Sequence, residues 1–538
     1  MSTAYDVVII GGAFSGSSEG ILLKRARPDA RVLIVEPRTA FDRKVGESTS
    51  DVAGCFLTRV LRQHSWLVRH QLPKQGLRFW YNTPDGQTAN DDVRRCGEIG
   101  SYFQVRLPTF QLDRSTLDEH LLEEALAAGC DVWRPAKVKG LSLGGAGRNT
   151  LDIERDGELL AVQARWVVDA SGKAAVLARK HATLRLLEEH PTSSMWVRFR
   201  GVGDLDSWKA GRALGESAVH ALPTSRMMAT NHLSGHGWWC WLIPLKNGEL
   251  SAGLTWDTRL FTPPQGGSIG QRLKAHLLGH PIGRLLFEKA EPIEQDARAY
   301  SQLAYFNDQA AGDGWACIGD AAGFMDPLYS QGLDYCAHTA YAVHKIVLKS
   351  LDGMDVTKEV RHYAADYKKS YHRWYRALYK GKYEYLGDLE LMWPAFLLDL
   401  STYFTGPVYG VYSATDTEFS KLPYIGPGGT FFAWWMRLYN QRLAALARKR
   451  RAAGIYGRGN LDRRLLLRAG FAPGLSALKI TRAGLWEWAK LEAQSVFLKP
   501  LPAPPPATAP EAAAPAPAPA REIDLTEEHP PLQPAGTT

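Results

Sequence analysis

Apolar and polar positions follow two rhythms along this chain, and their order predicts an α/β fold. Residues 5–12 read YDVVIIGG, an apolar run broken by glycine. FSGSSEGILLKRARP then keeps helical spacing as far as Pro28, and RVLIVE at 31–36 is a second apolar run. Strand, glycine turn, helix and strand in that order make a βαβ unit. Leu117, Leu121, Leu122 and Ala125 fall near one face of a helix predicted over 112–128. Several β-rich runs lie between 196 and 254, and helical spacing resumes after Gly332. From about residue 345 the pattern is helical and rich in aromatics, as in LMWPAFLLDLSTYF, until a proline- and alanine-rich tract begins near Pro500.

The predicted architecture is a Rossmann-like dinucleotide-binding domain with a β-sheet substrate domain, a mostly helical C-terminal region and a disordered tail. The first module covers 1–345, with its β-rich substrate part at about 190–300; the helical region covers 346–499 and the tail 500–538. The tail sequence, PAPPPATAPEAAAPAPAPA and beyond, offers too little apolar surface to order itself.

Composition narrows the function. A chain of 538 residues is long enough for two or three structural units and a large core. Its 17 Trp and 21 Tyr point to an apolar cavity walled by flat side chains. The net charge of +8 is dispersed and accompanied by no nucleic-acid motif, so nucleic acid is not an expected partner. Six cysteines show no CxxC pair and no metal-ligand spacing with the histidines, which predicts no metal site and a reducing, cytoplasmic setting. No apolar run approaches the ~18 residues of a transmembrane segment, and the run at 5–10 lacks the flanks of an export signal.

The turn Gly11-Gly12-Ala13-Phe14-Ser15-Gly16 lies where a strand opens a helix. Backbone N–H groups and the positive helix end bind a pyrophosphate there, and small residues let the phosphates approach. Glu36, ending the second strand 20 residues after Gly16, is placed to accept a ribose hydroxyl. Ala13 stands where the usual fingerprint has its second glycine, so that contact is looser. A plain structural turn is the competing reading; strand, helix and acidic residue in register favour the dinucleotide site.

Further motifs resemble the FAD-dependent aromatic monooxygenases. Residues 315–327, WACIGDAAGFMDP, read as an apolar strand running into Gly319-Asp320 and then a small-residue helix start; the resemblance gives Asp320 a flavin ribose or ribityl hydroxyl. WVVDASG at 166–172 and LDRSTLDEHLLEEA at 112–125 look like two more motifs of that superfamily, with Arg114 at a flavin-contacting position. WCWLIP at 239–244 matches the WxWxIP signature of flavin-dependent halogenases, and KQGLRFW at 74–80 resembles the segment carrying their essential lysine. GEST at 46–49 is similar to their flavin-proximal strap, and DPLYSQG at 326–332 to their halide-site loop. Over residues 5–340 the chain thus resembles the tryptophan-halogenase-like family.

The resemblance implies FADH2-dependent halogenation of an aromatic substrate, with chloride or bromide consumed. FAD would be held by Gly11, Gly12, Ala13, Gly16, Glu36, Glu47, Ser48, Arg114 and Asp320, and the halide by backbone N–H groups of Gln331 and Gly332. Lys74 would hold hypohalous acid or become a haloamine, delivering electrophilic halogen inside an enclosed passage. Trp239, Trp241 and Tyr329 would stand on the substrate side. Trp239, Trp241 and Ile243 alternate and therefore share one face of a strand, which plain sheet-core packing would explain equally. Tyr329 occupies the place where tryptophan halogenases have a glutamate, so a substrate that activates its own ring, a phenol or a pyrrole, is expected.

No second nucleotide motif is evident, which implies a separate flavin reductase using NAD(P)H. The basic stretch 442–468, including Arg448-Lys449-Arg450-Arg451, reads either as a docking surface for an acidic acyl carrier protein or as a solvated helical face. Three rivals share the flavin motifs: an aromatic hydroxylase using NAD(P)H, an isoprenoid-type flavoprotein reductase, and a catalytically silent flavin-binding scaffold.

Overall fold

The computed structural model describes residues 3–83, 90–102, 107–216, 224–413, 419–467 and 475–501. The predicted disordered tail, apart from its first two residues, lies outside the described residues.

Val7, Val8, Ile9, Leu33, Ile34, Val167 and Val168 are all fully buried, as strands covered on both faces must be. They belong to a sheet whose five parallel strands run in the order Trp315–Cys317, Glu158–Asp169, Thr3–Ile10, Val32–Val35 and Asp131–Trp133. The chain leaves Thr3–Ile10 toward one side of the sheet and later returns on the other, so the strand order reverses beside Ile10 and Asp169. Such a reversal opens a crevice at the carboxyl ends of the strands. The helix Phe14–Ala26 rises from that point and packs against helices Arg114–Ala127 and Gly332–Leu351.

The second sheet runs Glu291–Pro292, Thr192–Arg200, Leu250–Asp257, Trp238–Pro244, Thr230–Gly235, Leu77–Tyr81, Gly97–Ser101 and Arg464–Leu467. It is not confined to 190–300. Leu77–Tyr81 joins by parallel pairing with Thr230–Gly235, and Arg464–Leu467 by parallel pairing with Gly97–Ser101. Alternation along Trp238–Pro244 divides its side chains between two cores: Trp239, Trp241 and Ile243 enter the larger one, Cys240 and Leu242 the smaller.

One local expectation fails. After Asp320 the chain does not start an α-helix; it makes a 3₁₀ turn, Gly319–Ala321, a short strand, Gly323–Phe324, and a second 3₁₀ turn, Leu328–Ser330, and becomes α-helical only at Gly332. Gly319 is left-handed (φ 57°) and its N–H donates to the Thr339 hydroxyl (2.9 Å), while Tyr329 and Ser330 are left-handed as well (φ 69° and 60°). Those dihedrals are incompatible with a continuing right-handed helix.

The helical region packs around Leu389–Tyr403, which touches Gly426–Ala452 and Leu475–Ser495. No helix among the described residues is long and apolar enough to cross a membrane. Its aromatic side chains clasp the loop 324–331. Tyr371 Oη donates to the Phe324 carbonyl (2.8 Å), Tyr379 Oη to the Leu328 carbonyl (3.1 Å), Tyr383 Oη to Asp326 (2.8 Å), and Trp374 Nε1 to Gln331 Oε1 (2.8 Å).

Candidate active site

The crevice is shaped by residues that cannot carry side chains. Gly11 is left-handed (φ 100°), and a Cβ there would lie 2.6 Å from the Ala170 carbonyl oxygen; one on Gly16 would lie 1.8 Å from the Gly11 oxygen. Ala13 gives the helix Phe14–Ala26 no side-chain cap; the Phe14 N–H donates to Asp118 Oδ1 (3.2 Å), and the positive helix end lies at the crevice. Glu36, at the end of Val32–Val35, accepts the Gly12 N–H (2.8 Å) and stays in place beside the turn. Asp320 stands opposite; burial raises its carboxyl above the usual range, opposed by Arg114, Lys44 and Lys173. Arg114 is held by a bidentate bond to Asp118 (3.1 Å to each oxygen) and lies against Gly46, where a Cβ would meet its guanidinium at 2.5 Å. Close backbone approach, a helix N-terminus and two flanking carboxylates fit a dinucleotide such as FAD.

In the strap the Glu47 and Ser48 side chains are engaged within the protein. Glu47 is turned away into a buried ion pair with Arg198 (2.5 Å), each 2% exposed, and Ser48 Oγ meets Thr230 Oγ1 at 2.9 Å. A flavin contact from this segment would therefore come from its main chain, not from the Glu47 carboxylate.

Lys74 follows the short strand Leu72–Pro73, whose pairing with Phe110–Gln111 fixes the lysine backbone; its N–H donates to the Thr109 carbonyl (2.8 Å). The side chain is 4% exposed and Nζ donates to the Thr49 carbonyl at 2.6 Å. Burial pushes the amine down to about 8, against the pull of Asp51 and Asp334. Burial likewise pushes the Asp51 carboxyl up to about 6 and that of Asp334 up to about 7. Asp334 is held by the Ser50 hydroxyl and the Ala53 N–H (3.0 Å), whereas Oδ1 of Asp51 has no hydrogen-bond partner among the described residues.

Lys74, Asp51, Tyr329, Gln331 and Asp399 all line one cavity of about 290 Å³. Its far wall comes from the helical region, through residues such as Phe396, Leu400 and Phe432. Trp239 and Trp241 do not line it. Trp239 packs behind and donates from Nε1 to Tyr383 Oη (2.9 Å), which in turn donates to Asp326 of the loop; His190 Nε2 meets the same carboxylate at 2.8 Å. Gln331 and Gly332 sit at the uncapped start of Gly332–Leu351.

Sequence reasoning missed Asp51, Asp334 and Asp399. Asp51 and Asp334 lay five residues or fewer from quoted motifs and were legible only as helix-start acids; Asp399, inside an apolar aromatic run, carried no signal beyond being the lone charge of that run. Among the described residues of the basic stretch 442–468, which leave out Arg468, several charges are paired within the chain. Arg442 pairs with Glu492 (2.6 Å), Arg448 with Glu384 (3.5 Å), Arg450 with Asp388 (3.0 Å) and Glu390, and Arg464 with Glu216 (3.4 Å).

Known proteins are similar to this chain in sequence and in fold. The chain is 25% identical over 359 residues to the flavin-dependent halogenase chlA of Dictyostelium discoideum, covering 61% of this chain but only 57% of that protein's length. It is 24% identical over 428 residues to a 1H-pyrrole-2-carbonyl-(peptidyl-carrier protein) chlorinase of Pseudomonas fluorescens, covering 75% and 90%. The fold is similar to the crystal structure of the halogenase PltM, with a TM-score of 0.68 at 17% identity over 91% of this chain and 96% of that one. The family model for tryptophan halogenase matches residues 60–380, more than half of the chain, and takes in Lys74, the strand Trp238–Pro244, Asp320 and the clasped loop. With that match laid over the cavity just described, this chain belongs to the tryptophan halogenase family.

Proposed function

We propose that this protein is a flavin-dependent halogenase that places chlorine or bromine on an electron-rich aromatic ring, a phenol or a pyrrole. The observation that carries the reading is a primary amine, Lys74, buried on the wall of a cavity with its basicity lowered to about 8. Bound in the crevice and reduced by a separate NAD(P)H-dependent reductase, FAD supplies hypohalous acid from O₂ and halide.

The residues then divide the work. Gly11, Gly12, Ala13 and Gly16 receive the pyrophosphate, Glu36 and Asp320 the hydroxyl groups, and the N–H groups of Gln331 and Gly332 the halide. Lys74 meets the oxidised halogen. An amine must be unprotonated to accept halogen; at pH 8 about half of Lys74 is neutral, against about 0.3% for a solvated lysine. Helices of the C-terminal region form one wall of the cavity, which limits the water around the oxidant and the acceptor ring. Delivery of the ring on a carrier protein, as the name of the Pseudomonas fluorescens chlorinase states for that enzyme, is a second form of substrate, with half-exposed arginines such as Arg442 and Arg448 on the surface that would dock it. Six unpaired, buried cysteines fit a reducing, cytoplasmic setting.

The test combines the protein with a flavin reductase, NADH, FAD, O₂ and bromide or chloride, and reads a panel of phenols and pyrroles by isotope pattern. Halogenated product that disappears in Lys74→Ala supports the reading. Oxygenated, halide-independent product would instead mean a hydroxylase, O₂-independent reduction of a double bond a reductase, and halogenation undiminished by Lys74→Ala would refute the lysine route.

A further inference from the structure

The loop between Leu328 and Gln331 holds two consecutive left-handed non-glycine residues, Tyr329 and Ser330. Such backbone persists only where the surroundings enforce it, and it is often kept to aim a side chain. Tyr329 is aimed at Asp399. Its hydroxyl donates to Asp399 Oδ2 (3.0 Å), which also receives Lys382 Nζ (2.7 Å); Oδ1 takes the Tyr439 hydroxyl (2.7 Å) and Asn440 Nδ2 (3.4 Å). Lys382 is completely buried and Asp399 is 6% exposed, and the ammonium lies 5.4 Å from the Tyr329 ring centre. An apolar pair of this volume would usually be as stable as a buried ion pair, so the pair calls for a reason beyond stability.

Both Tyr329 and Asp399 face the cavity that Lys74 lines. Asp399 has donors on both oxygens and its charge is balanced by Lys382. The Tyr329 hydroxyl spends its hydrogen in the bond to that carboxylate, so its oxygen is left with lone pairs to accept, and donation to a carboxylate strengthens it as an acceptor. We infer that Tyr329, held by Asp399 and Lys382, is the acceptor for the proton-bearing heteroatom of the substrate ring, a phenol O–H or a pyrrole N–H. This rests on the proposed reading of the cavity as the chamber of the acceptor ring. A ring bearing an anionic group at this pole is disfavoured, because neither Tyr329 nor Asp399 offers it a donor.

The hydrogen bond pushes electron density into the ring. Halogen then passes to a ring carbon: the N–X bond of a Lys74 haloamine, formed from hypohalous acid with loss of water, breaks heterolytically as the C–X bond forms. The C–H bond at that carbon breaks next, and its proton restores the Lys74 amine. The heteroatom proton stays with the substrate, shared with Tyr329. Tyr329 is thus a catalytic residue by contact with substrate, and Asp399 and Lys382 are positioning residues.

The test is equilibrium binding of a matched set, 2-naphthol, 2-methoxynaphthalene and naphthalene, to FAD-loaded protein without halide or reductant, in the wild type and in Tyr329→Phe. That variant keeps the ring against Phe79 (centroids 6.2 Å apart), so the cavity wall is retained. The wild type should prefer the naphthol over both analogues by about tenfold, and Tyr329→Phe should erase the preference. Equal preference in both proteins, or equal weakening of all three ligands, would overturn the inference. Turnover with bromide adds a second arm, in which the naphthol-to-ether ratio of kcat/KM should fall by about tenfold or more in Tyr329→Phe. Because binding needs no halogenation, failure of the Tyr329 acceptor is distinguishable from failure of the halogenase reading.

Discussion

Replacing Lys74 by methionine should make the protein more stable while removing its chemistry. The side chain is similar in length and apolar, and the amine it removes is buried, with its basicity lowered from 10.5 to about 8 chiefly by loss of water. Below pH 8 the lysine is protonated in both folded and unfolded chains, and the folded one carries the full cost of burying the charge. Between about 8 and 10.5 the folded lysine is neutral while the unfolded one is still charged, so the wild-type stability climbs with pH through that window. The gap corresponds to about 3 kcal/mol at about 1.4 kcal/mol per pH unit, which sets the scale of the gain of Lys74→Met at pH 7. Asp51 and Asp334 lose their cation in the variant, which takes back part of that gain and raises both carboxyls further. We expect about 1–3 kcal/mol of added stability at pH 7, shrinking toward zero by about pH 10.5. Denaturant unfolding of both proteins from pH 6 to 10.5 measures it. A destabilised variant at pH 7, or a gain that does not change with pH, would refute the argument that burial sets the amine.

Three other substitutions probe the frame. Glu19 is fully buried without a partner for either oxygen among the described residues, and burial holds its carboxyl well above 4.5. As pH rises past that value the unfolded chain ionises and the folded one does not, so Glu19→Leu should stabilise by about 2 kcal/mol or more at pH 7 and by less at pH 4 in denaturant titrations. Arg198→Met leaves Glu47 charged and buried, and should lower stability by about 3–5 kcal/mol, read as a shifted unfolding midpoint. Arg450→Ala should cost stability through Asp388, which is fully buried, yet leave the KM for a carrier-bound substrate near wild type; a selective rise in that KM would extend the dock to Arg450.

The sequence alone determined the crevice, because its information is local: an apolar run, a left-handed glycine at 11, a helix and an acid at strand end lie within a few dozen residues. It also placed Trp239, Trp241 and Ile243 on one face, since alternation along a strand is a property of the backbone. Lys74 was marked by its neighbours in the chain, but its changed basicity was not, because desolvation comes from atoms far along the sequence. Only the tertiary structure brought Asp334 to Ser50, 284 residues away, and Asp399 to Tyr329, 70 residues away. Only it paired the Glu47 side chain with Arg198, 151 residues away. The aromatic richness read as a cavity wall proved also to be a clasp, with tyrosine and tryptophan donors of the helical region tying down the loop 324–331. Hydrogen bonds and burial depend on which surfaces meet, and no periodicity in one dimension records that meeting.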